Sequence, residues 1–118
     1  MIPRYRMWNR ITSQLHLVDG LYFNDKEAEY VDDDNVLRFV SFKNIELMQS
    51  TGLFDKNGKE IFEGDVLKSN KYITSVFYEN GAYCVKFCRT PNTTVTMNVI
   101  SFIKKYKTRI VGNIYKNP

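Results

Sequence analysis

The chain has 118 residues, of which 43% are hydrophobic, 25% charged and 14% aromatic. This composition is that of an ordinary globular protein, and it excludes a wholly disordered chain or an array of several large domains. No run approaches the ~18 apolar residues that a membrane-spanning helix needs, and the basic first residues lead into no apolar stretch. We therefore expect a cytoplasmic protein without membrane contact.

Charge is divided unequally along the chain. Residues 1–63 carry eight Lys or Arg and eleven Asp or Glu, whereas residues 64–118 carry nine and two. Such asymmetry is one mark of contact between the basic part and nucleic acid or another anion. The alternative is that the acidic and basic parts attract each other, within one protein or between neighbouring protomers.

The first part of the chain has the pattern of short strands separated by turn-forming residues. His16 alternates with Leu15 and Leu17, so we expect it to point away from their face into solvent. Residues 41–43 are predicted to form a loop or a single helical turn. The predicted strands cover residues 4–8, 14–18, 21–23, 36–40 and 44–48.

An acidic stretch, residues 24–35, ends in three consecutive aspartates beginning at Asp32. Carboxylates can bind a hard cation, but a calcium loop needs alternating oxygen ligands and a glycine at its sixth position. Leu37 occupies that position when counted from Asp32. We therefore predict a solvated loop and no metal site.

Residues 46–66 contain the most distinctive motif. Asn57 and Gly58 form a tight-turn signal, because both tolerate positive φ, and Gly64 marks a second turn before the apolar Val66. These residue types fix backbone geometry and do not perform chemistry. The residues predicted to fix turns or close backbone approaches along the chain are Gly52, Asn57, Gly58, Gly64, Asn80, Gly81 and Gly112.

The segments LMQSTGL (47–53), DKNGKEI (55–61) and EGDV (63–66) closely resemble the signature of the YopX family. The closing IVGNIYKNP (110–118) and the early RMW (6–8) look like that family's terminal motifs. The resemblance implies a protein of phages and prophages of low-G+C Gram-positive bacteria, acting in the cytoplasm of an infected or lysogenic host. It also implies a C-terminal SH3-like barrel. The family has no established activity, so no catalytic residue is implied.

After Gly64 the pattern predicts a hairpin-rich unit with one helix. Strands are expected over residues 66–68, 72–79, 82–88, 93–97 and 109–115, with a helix from Asn98 onward. Asn80 and Gly81 form a two-residue hairpin turn. The predicted facing pairs are Tyr78 with Tyr83, Val76 with Val85 and Thr74 with Phe87.

Catalytic and metal chemistry find little support in the sequence. Cys84 and Cys88 lie ~13 Å apart if they share one strand, at ~3.3 Å per residue, which is too far for a disulfide. The single histidine, His16, is distant in sequence from both. We predict free thiols, no cofactor, no metal site and no enzymatic activity.

The sequence therefore predicts a mainly β fold with minor α, in which an N-terminal strand-rich segment (1–63) packs on a C-terminal SH3-like barrel (64–118), or one compact unit. The predicted function is a non-enzymatic protein-binding or self-assembling module, with a homo-oligomer as one form. The alternative is nucleic-acid or nucleotide binding, with Tyr72, Tyr78 and Tyr83 available to stack on bases. The basic residues available for phosphate contact are Lys68, Lys71, Lys86, Arg89, Lys104, Lys105, Lys107 and Arg109.

Overall fold

The computed structural model describes residues 4–116 of the chain, and strands dominate them. The mainly β fold predicted from the sequence is confirmed. Within these residues the chain forms two compact units that divide between Gln49 and Ser50. The predicted division after residue 63 lies inside the second unit, because Ile61 packs in that unit's core.

The first unit contains two antiparallel sheets. Its strands are β1 (Tyr5–Asn9), β2 (Gln14–Leu17), β3 (Gly20–Tyr22), β4 (Glu27–Val31), β5 (Leu37–Ser41) and the first half of β6 (Ile45–Phe54). Strand β1 pairs with β2 and β6, and β4 pairs with β3 and β5. One turn of 3₁₀ helix (Phe42–Asn44) precedes β6, as one of the two forms predicted for residues 41–43. The core comprises Met7, Ala28, Tyr30, Val40 and Ile45.

Two predictions for this unit are wrong. The acidic stretch 24–35 is not all loop, because Glu27–Val31 alternates outward carboxylates with the buried Ala28 and Tyr30 and thereby forms the central strand β4. His16 is buried, not solvated, and its ring lies 4.7 Å from that of Tyr30. His16 and Leu17 do point to opposite faces of β2, as predicted, but Leu17 lies on the exposed face and His16 on the buried one.

The second unit contains the remaining strands and the helix. The elements are β7 (Glu60–Phe62), β8 (Asp65–Lys68), β9 (Ile73–Ser75), β10 (Phe77–Glu79), β11 (Ala82–Thr90), β12 (Thr93–Asn98), α1 (Val99–Lys105) and β13 (Arg109–Asn113). Strand β7 pairs with β6, β8 lies between β13 and β9, and β11 lies between β10 and β12. The SH3-like barrel stays a prediction. The core comprises Ile61, Leu67, Val76, Val85, Phe87, Val99 and Phe102.

The central hairpin follows the predicted register at its turn, with Tyr78 opposite Tyr83. Asn80 and Gly81 both have positive φ, at 50° and 83°, as a two-residue hairpin turn requires. The predicted single strand 72–79 is instead two short strands. The break is at Val76, whose backbone N–H donates to the Asp65 carbonyl at 2.9 Å.

The other predicted turn residues occupy several settings. Gly52, Gly58 and Gly64 have positive φ, whereas Gly112 lies in β13 where its register against β8 shifts. Asn98 precedes α1 as predicted, but its side chain makes no capping hydrogen bond.

Asp55 is a buried carboxylate that connects the 55–59 turn to β13. Its Oδ1 accepts from the backbone N–H groups of Asn57 at 2.9 Å and Lys59 at 2.8 Å. Its Oδ2 accepts from the N–H of Ile110 at 2.9 Å. Burial alone would raise the pKa of Asp55, but the N–H donors of Ile110, Lys59 and Asn57 outweigh it, and the pKa lies below its usual value.

Candidate functional site

The outer face of the β3–β4–β5 sheet carries an exposed apolar stripe beside two carboxylates. Strand alternation places Ala28 and Tyr30 inward and their neighbours outward. In the ladder Val31 lies opposite Leu37, Phe39 opposite Glu29, and Tyr22 opposite Glu27. We call this set the acidic–apolar face: Tyr22, Glu27, Glu29, Val31, Leu37 and Phe39.

The apolar members of this face are unusually accessible for residues in regular strands. Leu37 and Phe39 are each 54% exposed, and the ring of Tyr22 lies 6.0 Å from that of Phe39. Glu29 accepts a long hydrogen bond of 3.4 Å from the Tyr22 hydroxyl, which holds one carboxylate beside the aromatic pair. The face can therefore bury apolar area and neutralise cations in a single contact.

A complementary arrangement lies on the β13–β8–β9 sheet of the second unit. Arg109, Lys68 and Ile73 occupy directly opposed positions on three adjacent strands, and all three are exposed. We call them the basic row. Neither cation has an ion pair or side-chain hydrogen bond within the part of the chain that the structure describes. Like charges directly opposite each other destabilise a sheet. A partner that supplies carboxylates would therefore reduce the repulsion between Lys68 and Arg109.

Three other predicted basic residues converge on a groove of about 280 Å³ in the second unit. Lys71, Lys105 and Lys107 line it together with Asn70 and Tyr106, and we call it the lysine groove. The ammonium of Lys105 lies 5.9 Å from the centre of the Tyr106 ring. The groove combines positive charge with an aromatic edge.

The remaining predicted phosphate contacts lie outside this groove. Lys86 and Arg89 are exposed on β11, whose register against β12 shifts between Cys88 and Thr90, and Lys104 is exposed on α1. The ring of Tyr72 is already packed within the second unit, because its centre lies 4.2 Å from that of Phe87 and 5.4 Å from that of Tyr106.

The other two predicted stacking residues form a pair across the hairpin. Tyr78 and Tyr83 have ring centres 5.1 Å apart in an edge-to-face arrangement, and Tyr78 is the exposed member.

The two thiols are free, as predicted, with Cys84 buried and Cys88 exposed on β11. The Cys84 thiol lies within weak hydrogen-bond range of the Ala82 carbonyl at 3.8 Å and the Asn98 side-chain oxygen at 3.7 Å. Among residues 4–116 no three His, Cys, Asp or Glu side chains are grouped so that they could hold a metal ion. The same residues contain no helix with the length and apolar character needed to cross a membrane.

The acidic–apolar face is not among the sites predicted from the sequence. Its signal is the alternation of Glu27, Glu29 and Val31 with buried residues, but the surrounding acidic composition conceals it. Lys68 and Arg109 are predicted as basic residues, but not as neighbours.

Comparison with known proteins supplies a family and a fold. A family model described as YopX protein matches residues 4–118. The crystal structure of protein EF1440 from Enterococcus faecalis is similar over 100% of this chain and 96% of that one, with a TM-score of 0.64 and 24% identity. At that identity the likeness shows the fold alone. The search of curated proteins finds no match.

Proposed function

The chain belongs to the YopX family, and we propose that this protein is a non-enzymatic binding module that assembles with copies of itself. In this assembly the acidic–apolar face of one copy docks on the basic row of another. Following the family resemblance, we place the assembly in the cytoplasm of a phage-infected or lysogenic bacterial cell. The observation that carries the proposal is the pair of exposed, chemically complementary sheet faces on one chain.

The charged groups are spaced so that both pairs can form together. Glu27 and Glu29 are two residues apart on one strand, which separates their Cα atoms by ~6.6 Å. Lys68 and Arg109 are on neighbouring strands, ~5 Å apart. These separations match within the reach of long side chains. Exposed ion pairs contribute only about 0.2–1 kcal/mol each, so charge sets the orientation of the contact and does not supply most of the affinity.

Apolar burial supplies the larger share of the contact energy. Phe39 and Leu37 lie beside the carboxylates, and Ile73, 60% exposed, ends the basic row. Fully burying a side chain of this size contributes about 1.5–3 kcal/mol. A partner that offered only charge would leave these side chains in water, whereas the basic row offers both cations and an apolar neighbour.

Because the two surfaces differ, the contact is heterologous. Repetition of such a contact produces a closed ring when the rotation between copies closes, and an open filament when it does not. Each copy in the interior of an assembly uses both of its surfaces.

Sedimentation velocity of the purified chain at low and high salt tests this proposal. We expect species larger than a monomer that decrease as salt screens the ion pairs, and their loss in the double variant Glu27→Lys/Glu29→Lys. The matched control, Asp25→Lys/Glu79→Lys, makes the same change in net charge at exposed positions outside both surfaces and should assemble normally. Equal loss of assembly in the control, or a monomeric wild type at every concentration and salt, would overturn the proposal.

A second candidate function is binding of single-stranded nucleic acid at the lysine groove. It is favoured by the convergence of Lys71, Lys105 and Lys107 beside the Tyr106 ring. Three neutralised phosphates predict an affinity that falls with salt with a log–log slope of about −2 on a single strand.

Fluorescence anisotropy with a labelled single-stranded oligonucleotide measures that slope. The variant Lys105→Glu/Lys107→Glu should lose binding, whereas Lys86→Glu/Arg89→Glu, with the same charge change outside the groove, should retain it. Absence of binding by the wild type at low salt removes this candidate and leaves self-assembly untouched.

A further inference from the structure

A cleft of about 560 Å³ opens on the first unit, and its lining residues belong neither to the acidic–apolar face nor to the basic row. The 32–34 loop, His16, Tyr30 and Arg38 line it. His16 comes from β2, Tyr30 from β4 and Arg38 from β5, so three strands of two sheets position the walls. The volume is within the range of small-ligand sites.

The cleft carries a net negative charge. Asp32 is already engaged: it accepts from the Arg38 guanidinium at 2.8 Å and from the backbone N–H groups of Asp34 and Val36, each at 2.9 Å. The Arg38 hydrogen bond, with the N–H of Val36, holds the pKa of Asp32 below its usual value, so Asp32 stays ionised. The side chains of Asp33 and Asp34 have no such partner within residues 4–116. One arginine therefore balances one of three aspartates.

Two buried polar side chains, His16 and Tyr30, form part of the cleft wall. His16 is 9% exposed and Tyr30 is 6% exposed, yet neither makes a side-chain hydrogen bond in the described part of the chain. Their rings contact each other at 4.7 Å and both line the cleft. Because both side chains line the cleft and use no hydrogen-bond partner within the described part of the chain, their polar atoms are open to a ligand that enters it.

We infer that this cleft binds a guanidinium or ammonium group, such as the side chain of an arginine. Asp33 and Asp34 supply carboxylate acceptors, the Tyr30 hydroxyl can accept an N–H bond, and the rings of His16 and Tyr30 offer an aromatic surface to a cation. An anion would meet the aspartates and is excluded. The site shares no residue with the surfaces of the proposed assembly and does not depend on it.

The single histidine of the chain makes the test direct, because its ring NMR signals report on the cleft without overlap. The probes are agmatine, a free alkyl-guanidinium, and the capped peptide acetyl-Gly-Arg-Gly-amide, with acetate as the anionic control. We expect saturable shifts of the His16 signals with both cations and none with acetate. Shifts with the peptide alone identify a peptide as the source of the cation, and shifts with agmatine alone identify a small free cation.

Variants separate specific binding from general charge attraction. Asp33→Asn/Asp34→Asn removes two carboxylates of the cleft and should weaken agmatine binding about tenfold, the effect of two exposed ion pairs. Asp19→Asn/Asp25→Asn removes two carboxylates of the same unit outside the cleft and should leave the affinity unchanged. Equal weakening in both variants, or no shift of the His16 signals with either cation at millimolar concentration, would overturn the inference.

Discussion

Replacing Asp55 by alanine tests how the second unit is held together. The substitution removes the charged acceptor of three backbone N–H groups, of which that of Ile110 belongs to a strand 55 residues further along the chain. Hydrogen bonds to a charged group contribute about 1.5–3 kcal/mol each. Three bonds at the lower value give about 4.5 kcal/mol. In the variant, water can reach the exposed turn donors of Asn57 and Lys59, so we expect the free energy of unfolding to fall by about 3 kcal/mol.

Urea unfolding followed by circular dichroism measures this loss. With a slope of about 2 kcal/mol per molar urea, the midpoint should fall by about 1.5 M. Asp32→Ala is the matched control, because Asp32 also accepts two loop N–H groups and a third donor but is half-buried, whereas Asp55 is buried. The urea midpoint of Asp32→Ala should fall clearly less than that of Asp55→Ala. An equal loss in the two variants, or an unchanged midpoint for Asp55→Ala, would refute the reasoning.

The pH dependence of this effect has a definite sign. The pKa of Asp55 is lower in the folded chain than in the unfolded one, so its contribution is present above the unfolded value, near pH 4, and is lost as pH falls through the folded value. The difference in stability between the wild type and Asp55→Ala should therefore be full at pH 7 and smaller at pH 3. A difference that grew on acidification would contradict the assignment.

Two further predictions concern the core and the hairpin of the second unit. Phe102 has no exposed surface, and its ring centre lies 5.4 Å from that of Phe87. Phe102→Ala should therefore lower the free energy of unfolding, measured in urea, by about 3–5 kcal/mol. Ile100→Ala, at an exposed position on the same helix, should lower it little, and equal losses would contradict the core assignment. Gly81→Ala meets no atom within 4 Å, so its loss of about 1–2 kcal/mol should come from the positive φ alone; a neutral effect would contradict the turn.

Local signals in the sequence predict much of the fold. The dipeptide Asn80-Gly81 favours a conformation that few other residues adopt, and this preference alone predicts the register of Tyr78 against Tyr83. Burial is harder to predict, because alternation shows which residues share a face but not which face is inward. His16 illustrates this limit: its neighbours are more apolar, but Tyr30 on β4 covers the histidine side.

The candidate sites depend on strand pairing that no local pattern encodes. Lys71, Lys105 and Lys107 can be recognised as basic residues, but only the fold brings the 70–71 turn to the end of α1. Lys68 and Arg109 become neighbours through the pairing of β8 with β13. The sequence identifies a turn after residue 55, whereas the hydrogen bond from Ile110 that closes it onto β13 depends on the tertiary fold.

Mixing two interface variants tests the central claim most directly. Glu27→Lys/Glu29→Lys lacks the acidic–apolar face but keeps the basic row, and Lys68→Glu/Arg109→Glu has the reverse defect. In sedimentation velocity each variant alone should be a monomer, whereas an equimolar mixture should assemble. The intact basic row of the first variant can bind the intact acidic–apolar face of the second, and the reversed charges on the two remaining surfaces are again complementary. A mixture that stays monomeric, while the wild type assembles, would contradict the proposed pairing of these two surfaces.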